Sequence, residues 1–92
     1  MMIHLEYTAQ IKRAAGTGRE SITLPAGTTL TEVLRAAADN HGEGFRKLVL
    51  AADGSVQPSL LIFHGDRQVK SGSDPILNDG DTVTVMSPIS GG

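Results

Sequence analysis

One helix in this chain is marked at both ends, and its demands constrain the fold more than any other feature. Thr29 stands three residues before Glu32, the spacing at which the threonine hydroxyl and the glutamate carboxylate satisfy each other's orphan backbone donors. Leu30, Val33, Leu34, Ala37 and Ala38 then recur along one side, and Asn40-His41-Gly42 closes the run, with Gly42 suited to a left-handed cap. A helix with one apolar stripe needs an apolar layer to cover it. The rest of the chain supplies that layer as strands.

Ile3, Leu5 and Tyr7 alternate with His4, Glu6 and Thr8, the period of a half-buried strand. The segment AAGTGRES (Ala14 to Ser21) reads as a turn, and Ile22 and Leu24 alternate with Ser21 and Thr23 beyond it. This predicts a hairpin that Pro25 and Gly27 end. After the helix, Phe45, Leu48 and Val49 fit either a short helical turn or a strand through Leu48-Val49-Leu50, and Asp53-Gly54 marks a turn. Ser59 to Phe63 is apolar on both parities, the pattern of a strand covered on both faces. Arg67-Gln68-Val69 reads as a short return strand. Asn78-Asp79-Gly80-Asp81 is a turn with Gly80 at positive φ, and Thr82 to Met86 alternates again. Pro88 cannot donate to a ladder, so pairing stops there. The order strand, strand, helix, strand, short strand, strand describes an α+β chain: a mixed sheet with one main helix packed on one face. It resembles the β-grasp, or ubiquitin-like, arrangement, in which the last strand lies in the middle of the sheet.

The 92 residues are expected to form one domain, 1–92, with a flexible tail over 87–92. With two phenylalanines, one tyrosine and no tryptophan, the core must be mainly aliphatic. A net charge of -2 argues against nucleic acid or an acidic membrane as partner. No apolar run approaches a membrane span, and the N-terminus lacks the pattern of a signal peptide, so a cytoplasmic location is expected. The absence of cysteine removes disulfides, thiolate metal ligands and a cysteine nucleophile together. His4, His41 and His64 have no ligand spacing, so no metal is expected. Gly16-Thr17-Gly18 does not continue into a phosphate loop. No bound nucleotide, and no other cofactor, is therefore expected on the chain itself.

Two stretches carry a family likeness: Leu77-Asn78-Asp79-Gly80-Asp81-Thr82-Val83, and Ser87-Pro88-Ile89-Ser90-Gly91-Gly92. A leucine, a DGD turn, a valine-rich strand and a Pro-x-x-Gly-Gly end resemble the ThiS/MoaD-type sulfur carriers, bacterial relatives of ubiquitin. The likeness spans essentially the whole chain, and the PISGG ending is most similar to the small subunit of molybdopterin synthase. The chain departs from the pattern at His64, where the family usually has asparagine, and at Ser87, where proline is common.

The resemblance implies a cycle in which an ATP-dependent adenylating enzyme converts the Gly92 carboxylate to an acyl-adenylate. A sulfur donor then displaces AMP and leaves a thiocarboxylate, which a synthase consumes. On this reading the carrier is no enzyme alone. Its partners are the ubiquitin-activating-type adenylating enzyme and the large subunit of molybdopterin synthase, or another sulfur-accepting synthase. Carriers for cysteine or thiamin, a protein modifier forming isopeptide bonds, and a plain interaction domain remain open.

The residue types suit that chemistry. Gly91 and Gly92 have no Cβ and can thread a channel where a side chain would clash. Five or six extended residues would reach roughly 16–20 Å; Pro88 would stiffen the base of the tail, and Ile89 and Ser90 are expected to complete the segment that contacts the partner. If Val83 and Val85 face the helix, Met86 faces away from it together with one of two pairs, Leu60 and Ile62 or Leu61 and Phe63. Leu61 and Phe63 are the favoured pair, expected to form with Met86 a docking patch on the sheet face away from the helix.

Overall fold

The computed structural model describes residues 1–87. The chain runs β1 (Met2–Tyr7), α1 (Ala9–Ala15), β2 (Arg19–Thr23), α2 (Leu30–His41), α3 (Glu43–Val49), β3 (Leu61–His64), β4 (Arg67–Gln68) and β5 (Thr82–Met86). The five strands form one mixed sheet in the order β2-β1-β5-β3-β4. β5 lies at its centre, parallel to β1 and antiparallel to β3. The α+β, β-grasp arrangement read from the sequence is therefore the fold.

The helices cover one face. Leu5 pairs with Val83, Tyr7 with Val85, and Ile62 also with Val85. These five residues are buried beneath Leu30, Val33, Leu34, Ala37 and Ala38 of α2, with Ile11 of α1 and Phe45 and Val49 of α3. α2 begins as its sequence demands: the Glu32 N–H donates to Thr29 Oγ1 at 3.4 Å, and the Thr29 N–H donates to Glu32 Oε1 at 3.0 Å.

Three details differ from the sequence reading. β1 and β2 do form an antiparallel pair, but their connection is not a simple turn. It contains α1, whose only buried residue is Ile11 and whose N-cap, Thr8, makes no side-chain cap. A seven-residue helix with one buried side chain leaves no periodic trace. Gly42 does take positive φ, at 91°, but its ψ of -169° is extended rather than left-handed helical, because the same residue caps α3 at once. The third apolar strand begins at Leu61 rather than Ser59 and extends to His64. Of the two readings of the segment after α2, the helical one holds, while Leu50 makes only an isolated bridge to Val56.

Candidate functional site

The site grows from the end of β5. Val83 and Val85 point to the helices, so Thr82, Thr84 and Met86 point to the opposite, open face. Register places Leu61 beside Met86 and Phe63 beside Thr84, so all four share that face. Leu61 is 39% exposed, and Phe63 and Met86 are half-buried. Ile62 and Leu60 turn the other way, into the core or against it. Of the two possible outward pairs, the structure brings Leu61 and Phe63 together with Met86. The second cover that an all-apolar strand implies is not supplied by the described residues of this chain.

Beside this apolar patch the open face is polar. Arg19 Nη2 donates to Glu6 Oε2 at 2.8 Å, and Thr84 Oγ1 donates to Glu6 Oε1 at 3.4 Å. A charged row on β2 and β1 therefore runs up to the central strand and stops against Phe63. The apolar and charged halves meet along β5, the strand that leads into the tail.

The DGD turn lies at the other end of β5 and serves the fold. Asp79 Oδ1 accepts the Met2 N–H at 2.7 Å, and Asp81 Oδ2 accepts the Asn78 N–H at 2.8 Å. His64 Nε2 lies 2.6 Å from Asp81 Oδ2. Burial alone would raise the Asp81 carboxyl, but the Asn78 N–H and His64 outweigh it and hold the group below its usual value. Gly80 sits at φ 86°, as a turn of this kind requires.

A second polar knot, with no signal in the sequence, underlies the tail end of the sheet. Tyr7, which pairs with Val85, donates its hydroxyl to Glu20 Oε2, and His41 Nε2 lies 2.5 Å from the same oxygen. Tyr7, His41 and Phe45 pack edge to face or tilted, with the Tyr7–Phe45 centroids 5.3 Å apart. Burial first, then the Glu20 carboxylate, pushes the Tyr7 phenol well above its ordinary value. No sequence spacing links residues 7, 20 and 41; the fold alone brings them together.

Pro88, Ile89, Ser90, Gly91 and Gly92 lie outside the described residues. Among those described, no three His, Asp or Glu side chains gather where they could hold a metal. No described helix is long and apolar enough to cross a membrane.

The family model of the ThiS family matches residues 5–92. No curated protein matches the chain. Among solved structures, SAMP1 of Haloferax volcanii superposes with a TM-score of 0.86 at 18% identity, over 100% of both chains. A Pyrococcus furiosus protein provisionally described as molybdopterin converting factor, subunit 1 gives 0.74 at 25% identity, over 97% of this chain and 99% of its own. A structure of subunits 1 and 2 of the molybdopterin-converting factor of Helicobacter pylori, solved as a complex, gives 0.60 at 22%, over 100% of both chains. With the family match running from β1 to Gly92 and the central strand placed as that fold requires, the chain belongs to the ThiS family and shares the β-grasp fold of ubiquitin-like sulfur carriers and modifiers.

Proposed function

We propose that this protein is a sulfur carrier whose Gly92 carboxylate is activated by an ATP-dependent adenylating enzyme and converted to a thiocarboxylate, serving molybdopterin synthesis as the small subunit of the synthase. The observation that carries the reading is the family match through Gly92. The central position of β5, which gives the tail a rigid base, supports it.

In the first step a carboxylate oxygen of Gly92 attacks the α-phosphorus of ATP and pyrophosphate leaves. In the second, a hydrosulfide-level donor attacks the acyl carbon, the bond to AMP breaks, and the sulfur remains on the chain. A carboxylate is a poor electrophile, and the adenylate gives it a leaving group. The chain's own residues do the delivery. Pro88, Ile89, Ser90 and Gly91 carry Gly92 into a partner's site, while Leu61, Phe63 and Met86 dock the sheet against that partner. The chain does no catalysis by itself. The Helicobacter pylori complex of subunits 1 and 2 supports a large-subunit partner for the sulfur-accepting step, and the activating enzyme is inferred from the chemistry. The same acyl-adenylate attacked by a lysine amine would yield an isopeptide bond. The likeness to SAMP1, a small archaeal modifier protein, keeps that second outcome in the test.

Protein isolated from cells with an active adenylating enzyme is treated with a thiol alkylating reagent and weighed intact. The chain has no cysteine, so a label mapped to Gly92 reports a thiocarboxylate. Transfer from that form to the molybdenum-cofactor precursor, with a competent large subunit, completes the reading. Absence of label sinks the carrier. Label without transfer to that precursor sends the sulfur to another pathway. Conjugates of higher mass that vanish when Gly91 and Gly92 are deleted establish the modifier.

A further inference from the structure

β2 forms one outer edge of the sheet, and most of that edge is closed by the chain itself. The Tyr7 N–H donates to the Gly18 carbonyl and the Leu24 N–H to the Met1 carbonyl, each at 2.9 Å. Bonded pairs in an antiparallel ladder recur every second residue. Glu20 and Ile22 therefore bond inward, opposite Leu5 and Ile3, while Arg19, Ser21, Thr23 and Pro25 turn their backbone groups outward. Arg19 is already occupied: the Thr17 hydroxyl donates to its carbonyl at 2.8 Å and accepts its N–H at 3.3 Å. Pro25 has no N–H, and its carbonyl accepts the Thr28 N–H at 3.3 Å and the Thr28 hydroxyl at 2.6 Å. Among the described residues, what remains open on this edge is the backbone of Ser21 and Thr23, both exposed and placed symmetrically about Ile22.

We propose that this remaining edge pairs with the same edge of a second copy of the chain, antiparallel, about a two-fold axis at Ile22. In that register Ser21 lies opposite Thr23 of the second copy, and the pair exchanges both of its N–H···O bonds. Ile22, half-buried against the core, meets Ile22 of the second copy on the helix side. Glu20 falls opposite Leu24, and Arg19 opposite Pro25. No like charges face each other, and both charged groups are already paired within their own chain: Glu20 with Tyr7 and His41, Arg19 with Glu6. A foreign strand would have to bring the matching short polar and apolar residues, whereas a second copy carries them in register by symmetry. Capped ends limit the contact to a few residues, which protects against open-ended strand addition. The contact is correspondingly small, below the size of a stable interface, so the dimer is weak. Because paired residues share a face, the axis is perpendicular to the sheet. The two apolar patches at Leu61, Phe63 and Met86 then lie on the same side of one continuous sheet. Such pairing is independent of the function proposed above.

Sedimentation equilibrium from micromolar to millimolar concentration, with amide hydrogen exchange over the same range, tests this. Expected are a mass rising from 9.6 kDa toward the dimer and a concentration-dependent gain of protection at the Ser21 and Thr23 amides. Thr23→Pro removes an outward donor without touching a bond to β1 and should weaken association at least about tenfold. A monomer throughout overturns the proposal, as does association that persists undiminished in Thr23→Pro. Self-association that shifts the Leu61 and Phe63 resonances instead assigns the contact to the open face and overturns it too. Protection at Ser21 and Thr23 that appears only on adding another protein gives the edge to a foreign strand and likewise overturns self-pairing. If Thr23→Pro fails to fold, the concentration dependence of those two amides in the natural protein decides alone.

Discussion

At the scale of single residues, Tyr7 and Phe63 make opposite demands. Tyr7 is 3% exposed, and its hydroxyl is committed to Glu20. Its phenol is raised above the ordinary 10.0 by burial and by that carboxylate. A raised folded value means the folded protein holds this proton more tightly than the unfolded chain does. The resulting stability is present in full below pH 10 and is lost as pH rises further. Because the chain has one tyrosine and no tryptophan, ultraviolet absorbance follows this group alone. Ionisation should appear only above pH 10 and together with unfolding, and Tyr7→Phe should flatten the alkaline loss of melting temperature. A normal titration in the folded protein would refute the assignment. Phe63 is instead half-exposed beside Leu61 and Met86 on the open face. Phe63→Asp should leave the melting temperature within a few degrees and abolish binding to the adenylating enzyme in a pull-down. If it unfolds the protein instead, the patch is structural rather than a docking surface.

At the scale of elements, strong local chemistry separates what was legible from what was not. α2 carries its own start signal and a full apolar stripe, so its residues are read directly. Thr29→Ala removes the acceptor for the Glu32 N–H and should cost about 1 kcal/mol. That corresponds to a fall of about 4–8 °C in a domain of this size, measurable by calorimetry. No change would mean that packing, not the cap, sets the helix end. α1 has neither signal, with one buried residue and no capping side chain; beyond the left-handed Gly16 that ends it, it rests on packing against α3, β1 and β5. β3 was legible as apolar but not in its phase. Leu60 to Phe63 satisfies either face, and the choice came from pairing with β5, where Val83 and Val85 already define the buried side.

At the scale of the whole molecule, β5 is held on both sides, by β1 and by β3, while β2 and β4 are edges. Hydrogen exchange should therefore be slowest at Leu5, Val83 and Val85 and fast at Gln68 of β4. If Val83 and Val85 exchange as readily as the edge, the tail does not start from the rigid centre of the fold. Alternation, the capped helix and the turn residues were determined by the sequence alone, because each depends on neighbours within a few positions. The sequence likewise carries the Pro-x-x-Gly-Gly ending and the absence of any thiol, since these are matters of composition and order. Tertiary structure decided the rest. It gathers Tyr7, Glu20 and His41 into one polar knot, ties Asp81 to His64, turns Leu61 and Phe63 rather than Leu60 and Ile62 outward, and, among the described residues, leaves the backbone of Ser21 and Thr23 open on the β2 edge. The physical reason is the same in each case. These contacts join residues far apart in the chain, and which of them meet depends on strand order and register, which no local run of residues encodes.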